Sequence, residues 1–474
     1  MAYIKDLYCN PLPLPDLPLG MDRIYPGRCK SYTGKSCDYR EVADPEVLKF
    51  GDAYYMYVSC RQVYVSWNLI DWEYHAIDID SPLGYAPAVT QCGKNIYLTS
   101  SKNFLDKYGR IYASEHPLGP FKTVGYPKDK NGNIIEDFLD PALFTDDDGR
   151  LYLYWGYAPM GGGIYGMEVD PQHPDCGISD IVKLIDLDPD NEWEHFGAHG
   201  EVLDFGWNEG ASMYKYHGRY FLQYAACGTR FPNYAIGVYI LNSPLEKPSE
   251  KAHKLICNTQ GIVCGTGHGG MFPGPDGEPW QAYSVLVHRK HVFERRVGID
   301  PVKFDDNGVP FVEASDVPCS VSAGKSGLVN AAAWKNAVVS SSMINTLPMF
   351  ALDECPHTAW VPEPGDEQPM FRVNLEREFE ISAVRLIWSE ENISFADGVN
   401  FEPAKYKIEF YDGKNELVYL MDKSTNQQDK LIEFHSFEPV TAQYVQVTQL
   451  KDSSPVIRGI TDLAVFVQPR RIYK

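Results

Sequence analysis

One sequence unit recurs through the first part of this chain, and its clearest copies all open on an acid. They read DPEVLKFGDAYYMYVS from Asp44, DPALFTDDDGRLYLYWG from Asp140 and EGASMYKYHGRYFLQYA from Glu209. Each joins an acid and a proline or small residue to an apolar run, a Gly/Asp turn and an aromatic-rich run. Weaker copies are YAPAVTQCGKNIYLTS from Tyr85 and GTGHGGMFPGPDGEPWQAYS from Gly265, so the units start near residues 44, 87, 140, 209 and 268. Further strand-like runs follow, such as VYVSWNLIDWEYH (Val63 to His75) and RIYASEHPLGPFKTV (Arg110 to Val124). Aromatic residues at 13%, with 39 Gly and 34 Pro, suit short strands joined by tight turns. Roughly four strands per unit, repeated radially, is the pattern of a propeller blade. The expectation is an all-β chain, with a five-bladed β-propeller over residues 1–318.

Composition changes near Pro318. SVSAGKSGLVNAAAW (Ser320 to Trp334) reads as a linker. Strand-like segments follow, among them MFRVNLER, SAVRLIWS, KYKIEFYD and QYVQVTQL. Their alternation of apolar residues argues for a smaller β-sandwich within residues 319–474. The acidic repeat does not continue there.

The innermost strand of each blade lines the propeller channel, so residues opening those strands ring one mouth of it. Alignment of the units places Asp44, Ala86 or Pro87, Asp140, Glu209 and His268 on that ring. A single Asp-Pro or Glu-Gly pair is ordinary turn chemistry. Three acids in register argue for a site, because turns alone would accept Asn, Ser or Gly, and Asp is a poor strand former.

Converging carboxylates suit cleavage of a glycosidic bond. One carboxyl stays protonated to serve the leaving oxygen, and another stays ionised to activate water. A third can raise the acid's pKa through its charge. An inverting pair would stand roughly 6.5–9.5 Å apart to admit a water, and a retaining pair about 5 Å. Burial and Asp140 are expected to make Glu209 titrate above a free glutamate.

Bulk properties narrow the partners. The 43 basic and 64 acidic residues give a net charge of −21, which disfavours nucleic acid or an anionic membrane as partner. The N-terminal stretch MAYIKDLYCNPLPLPDLPLG lacks the apolar core of a signal peptide. Eleven scattered cysteines without a CxxC pair suit a reducing compartment. A cytoplasmic protein is therefore expected, or a secreted one if a leader has been removed.

The ADP at Asp44, LDPALFTDDDG around Asp140 and NEG at Glu209 resemble the catalytic motifs of glycoside hydrolase family 43, the five-bladed propeller glycosidases. The resemblance covers residues from about 35 to 310. It implies that Asp44 is the general base, Asp140 the pKa modulator and orienting residue, and Glu209 the general acid of an inverting glycosidase. It also implies that His268 of GTGHGG is the axial histidine, in the substrate site and beside a calcium or sodium ion; no organic cofactor is implied. Gly269 and Gly270 replace bulkier or polar residues of relatives, which leaves that ion open. YAP stands where WAP is frequent, so Tyr85 replaces a tryptophan platform if that position borders the sugar. Arg295 or Arg296 either reaches a sugar hydroxyl or faces solvent.

Residues from about 330 to 468 are similar, less specifically, to a discoidin-like sandwich of the carbohydrate-binding-module kind, on the strength of ALDECPHTAWVPEPGDEQPMFRVNL. In that segment Trp360 is either core or a sugar platform. Other signals carry less. GTGHGG fits G-x-G-x-x-G but no helix follows, and DDDG at Asp146 to Gly149 reads as a hairpin turn rather than a calcium loop. Histidines 195, 199, 288 and 291 lack metal-ligand spacing.

The leading expectation is an exo-enzyme releasing α-L-arabinofuranosyl or β-D-xylosyl residues from oligosaccharides of plant polysaccharide. The alternatives are an endo-arabinanase, a galactan-directed exo-glycosidase, a non-catalytic carbohydrate-binding protein and a protein-interaction scaffold. The long segment 157–206 could close one end of the cleft. Oligomeric state is open.

Overall fold

The computed structural model describes residues 4–15, 41–59, 62–81, 83–101, 108–158, 162–287, 291–391, 403–450 and 457–469. His288 and parts of the N-terminal stretch lie outside them. The chain divides into two compact units, one of residues 41–286 and 295–314, the other of 1–40, 287–294 and 315–474. Among the described residues no helix is long and apolar enough to cross a membrane.

The first unit is the five-bladed propeller. Blade 1 runs Glu46–Phe50, Ala53–Val58, Gln62–Ser66 and Glu73–Ala76, each strand antiparallel to the last. Blade 2 repeats this with Ala88–Cys92, Asn95–Thr99, Ile111–Ser114 and Lys122–Gly125. Blade 3 comprises Ala142–Thr145, Leu151–Tyr157, Gly163–Asp170 and His173–Gly177, with Val182–Ile185 added to its third strand. Blade 4 is Glu209–Tyr216, Arg219–Ala226, Ala235–Leu241 and His253–Ile256. Blade 5 has Met271–Pro273, Pro279–Leu286 and Arg295–Pro301.

Second strands such as AYYMYV are buried throughout, which follows from blades packing face to face. Tyr55, Val63 and Val65 of blade 1 cluster with Val89, Ile96 and Leu98 of blade 2. Tyr152 and Tyr154 of blade 3 cluster with Leu222 and Tyr224 of blade 4. The ring closes where Val42 N–H donates to the Arg295 carbonyl at 3.0 Å, joining the entry to blade 1 with blade 5. Asp146 to Gly149 is a hairpin turn, and Asp146 pairs with Lys215 at 2.5 Å.

The second unit is a β-sandwich. Its seven-stranded sheet runs Val329–Asn330, Gly459–Val467, Met370–Ser389, Ile432–Gln449, Tyr406–Tyr411 and Leu417–Asp422, with Asn336–Val339 on the edge of Met370–Ser389. The two longest strands break register between Asn374 and Phe379 and between Ile381 and Ala383. Such bulges let one strand serve both layers. Trp360 is fully buried among Phe371, Trp388 and Ile460, and its Nε1–H donates to the Ser341 carbonyl at 3.0 Å. Of the two readings of Trp360, the structure selects core.

The N-terminus departs from the expected division. Leu7–Tyr8 pairs antiparallel with Cys319–Ser320, and Cys9 packs against Ala383 and Phe466, so this stretch belongs to the sandwich unit. An apolar segment this short cannot bury itself and takes the nearest open edge, which sequence order does not reveal.

Candidate active site

Backbone conformation marks the ring directly. Asp44, Ala86, Asp140, Gly210 and His268 have φ of 53°, 47°, 42°, 62° and 52°. Left-handed backbone is costly for residues with a Cβ. Its recurrence at one point in every blade makes the kink part of the repeat, where incoming chain turns into the inner strand. The choice between Ala86 and Pro87 thus falls on Ala86. Blade 4 corrects the alignment: its ring residue is Gly210, and Glu209 stands one residue earlier, ahead of a register shift between Glu209 and Ser212. A Cβ on Gly210 would lie 2.9 Å from the His268 ring, so only glycine admits that histidine.

Three serines fasten neighbouring blades beside the ring. Ser59 Oγ accepts from Ala86 N–H at 3.0 Å, Ser101 Oγ from Asp140 N–H at 2.7 Å, and Ser284 Oγ from Asp44 N–H at 3.0 Å. The first two also donate to the acids, Ser59 to Asp44 Oδ2 at 2.5 Å and Ser101 to Asp140 Oδ1 at 2.9 Å. Ser59 and Ser101 therefore each fix backbone and carboxylate together.

Asp44, only 4% exposed, is clamped by Arg295, with Nη1 to Oδ1 at 2.6 Å and Nη2 to Oδ2 at 3.2 Å. Arg295 also donates through Nε and Nη2 to Glu41 Oε1, at 2.9 and 2.6 Å, and through Nη1 to Thr229 Oγ1 at 2.8 Å. A guanidinium has five N–H donors, and all are committed. This corrects both readings of the arginines: Arg295 faces neither solvent nor a sugar hydroxyl but holds Asp44. Arg296 is also buried, and its Nη1 donates to the Arg295 carbonyl at 2.9 Å. His268 lies between two of the acids, its Nδ1 3.5 Å from Asp44 Oδ1 and 3.8 Å from Asp140 Oδ2.

Glu209 stands close enough to this cluster to feel the charges of Asp140 and Asp44. Trp207 Nε1–H donates to its Oε2, and Tyr234 Oη lies 3.0 Å from its Oε1. Burial holds the Glu209 carboxyl well above the usual range, and the charge of Asp140 adds to this, in the direction expected. The two hydrogen bonds oppose the shift without cancelling it. Burial also raises the Tyr234 phenol, which stays protonated as a partner. A Cβ on Gly267 would stand 2.2 Å from the Tyr234 ring, so this glycine makes room for the tyrosine.

Tyr85 precedes the ring residue Ala86 and is half-buried, and its carbonyl accepts from Ser101 N–H at 2.8 Å. Among the described residues, few protein groups stand ready to hold the ion expected beside His268. Calcium takes six to eight oxygens, whereas His268 turns Nδ1 toward two carboxylates, and among the described residues no group of three His, Cys, Asp or Glu is placed to share a cation. The protein groups present do not form a calcium cage.

The site thus combines an ion-paired carboxylate, a carboxyl held protonated and a third acid that acts on the second through its charge. Glu41, Ser59, Ser101, Trp207, Tyr234 and Ser284 were not singled out from the sequence, although Ser59 and Ser284 end their copies of the repeat and Ser101 directly follows another.

Comparison with known proteins agrees with this geometry. Residues 39–310 match the family described as glycosyl hydrolases family 43, and residues 336–460 match the F5/8 type C domain. A β-D-galactofuranosidase of Aspergillus niger is 25% identical over 304 residues, 56% of this chain and 80% of that protein. Xylosidase/arabinosidase 43B of Humicola insolens is 24% identical over 312 residues, 58% of this chain but only 54% of its own length. A thermostable family-43 glycoside hydrolase of known structure shares the fold with a TM-score of 0.50 and 24% identity, covering 65% of this chain and 96% of that one. The family match spans more than half of the sequence and encloses all three acids, and the chain belongs to glycosyl hydrolase family 43.

Proposed function

We propose that the propeller is an inverting exo-glycosidase that removes terminal α-L-arabinofuranosyl or β-D-xylosyl residues from oligosaccharides. Asp44 is the general base, Glu209 the general acid, and Asp140 keeps Glu209 protonated. The observation that carries this reading is the division of labour among the acids. Asp44 meets Arg295 as an ion pair, which requires its carboxylate form, while Glu209 is half-buried and held well above the usual range by desolvation and by the charge of Asp140.

In the proposed reaction Asp44 takes a proton from a water that attacks the anomeric carbon. Glu209 gives its proton to the departing glycosidic oxygen, so one C–O bond forms as the other breaks and the two carboxyls end with exchanged protonation. The names of the two relatives favour furanosyl or xylosyl substrates, with β-D-galactofuranosyl the second candidate.

The test uses aryl α-L-arabinofuranoside, β-D-xyloside and β-D-galactofuranoside with wild type, Asp44→Ala and Glu209→Ala. Asp44→Ala is expected to lose about 10³-fold or more on the preferred aryl glycoside, and Glu209→Ala to lose clearly less there than on an oligosaccharide of the same glycone, because an activated aryl group departs without a proton. The first-formed sugar, followed by NMR, should have the inverted anomeric configuration. Unchanged turnover in both variants rejects the assignment, and a retained anomer rejects the inverting route.

A further inference from the structure

The chain between blades 3 and 4 builds an extra piece beside Glu209. It contains a 3-10 turn, Glu192–Glu194, and a small hairpin of His195–Phe196 and Val202–Gly206. The buried carboxyl of Glu194 anchors it by accepting from Tyr224 Oη at 2.5 Å, Asn191 Nδ2 at 2.6 Å and Asn208 Nδ2 at 2.6 Å. Asn208 in turn accepts from Ala158 N–H at 2.9 Å through its carbonyl. The hairpin is thus tied to both blades that flank the acid.

A continuous row of aromatic rings follows from this anchoring. Trp207 stacks on Tyr157 with centroids 5.4 Å apart and 25° between planes. Phe205 lies 6.4 Å from Trp207 and 5.0 Å from Phe196, which lies 4.9 Å from Phe231. The Arg230 guanidinium covers Phe196 and Phe231 at 5.0 and 5.3 Å. The tyrosines between the same two blades, such as Tyr154 and Tyr224, are fully buried. These five rings are only half-buried, and Arg230 is exposed. One end of the row is joined to the acid, since Trp207 donates to Glu209.

We propose that Tyr157, Trp207, Phe205, Phe196 and Phe231, with Arg230 at the far end, form the subsite for the leaving-group sugars of an oligosaccharide. This rests on Glu209 being the general acid. An acid must lie within hydrogen-bond reach of the leaving oxygen, so the sugar carrying that oxygen sits against whatever adjoins Glu209. Aromatic rings with one face packed offer the other to the C–H face of a sugar ring, and the Arg230 donors suit its hydroxyls. Binding energy from this part of the substrate, remote from the cleaved bond, supports the transition state. A substrate lacking it gains nothing from the wall.

The test compares Phe205→Ala and Arg230→Ala with wild type on two substrates of the same glycone. One is an oligosaccharide; the other is the glycosyl fluoride, whose leaving group is too small to touch the row. Phe205→Ala is expected to lower kcat/KM about tenfold and Arg230→Ala about threefold on the oligosaccharide, each with less than about a twofold change on the fluoride. An equal loss on both substrates, or no loss on the oligosaccharide, overturns the subsite while leaving the hydrolase intact. Wild type inert on both substrates overturns the hydrolase and the subsite together. Should Phe205→Ala not fold, the surface variant Arg230→Ala carries the comparison alone.

Discussion

The indole N–H of Trp207 is bonded to Oε2 of Glu209, while the Tyr234 hydroxyl meets Oε1. An indole can only donate, whereas a hydroxyl donates or accepts. Tyr234 donates to Oε1 as Trp207 does to Oε2, so both oxygens accept and both bonds oppose the upward shift that burial imposes. Trp207→Phe keeps the ring on Tyr157 but removes the donor. That bond favours the ionised form, so its loss raises the Glu209 pKa further and moves the basic limb of the kcat/KM profile to higher pH. A pH–rate profile with an unmoved basic limb would show that the indole does not act on the acid.

Asp140→Asn should do the reverse. Asp140 raises Glu209 by like-charge repulsion, so a neutral amide lets Glu209 ionise at lower pH and the basic limb moves down. Activity on substrates with poor leaving groups should fall by about 10² or more, and much less on activated aryl glycosides that depart without a proton. Equal losses across leaving groups would mean that Asp140 does not work through the acid.

Arg295 joins Asp44 and Glu41 across the closure of the ring. Arg295→Met leaves both carboxylates buried without their cation, which costs about 3–5 kcal/mol when one partner of a buried pair is removed. Denaturant unfolding of the variant measures this directly. A loss below about 1 kcal/mol would place the pair among weakly coupled, solvated ions.

Trp360→Ala should destabilise the sandwich by about 3–5 kcal/mol, the usual cost of emptying a large aromatic site. Its burial leaves no face for a sugar. Calorimetry that finds the sandwich transition unchanged would contradict a core role.

The repeat was legible because each inner strand opens at the same kink, and acids at three of those openings stand out against strand propensity. What escaped was whatever depends on closing the circle. Arg295 and Asp44 are 251 positions apart, and a strand residue's partner across the closure of a ring leaves no local trace. Alignment set Glu209 level with the aspartates because an acid followed by a small residue looks alike in all three units. Only the backbone shows that Gly210 occupies the kink and that Glu209 stands one residue ahead. The serines were visible as unit endings, but their grip on the next blade requires knowing how blades neighbour one another.

Glu46 provides the last prediction. It opens the innermost strand of blade 1, two residues past the kink at Asp44. A Cβ on Gly270 would stand 2.3 Å from Glu46 Oε2 and 2.9 Å from Ser212 Oγ, which places the acid among three blades. Although Glu46 keeps some exposure, the surrounding blades crowd out bulk water, and burial pushes its carboxyl from 4.5 up to about 8. Below the lower value the folded and unfolded states are both protonated. Between the two values the folded chain keeps a proton that the unfolded chain releases, so stability declines as pH rises through this window. Glu46→Gln removes this term. Its unfolding midpoint should exceed that of wild type by a margin that widens from pH 5 to pH 8, estimated as roughly a one-sided titration. Two curves that stay parallel across that range would show that Glu46 is ionised in the folded protein and that the channel is wetter than its walls imply.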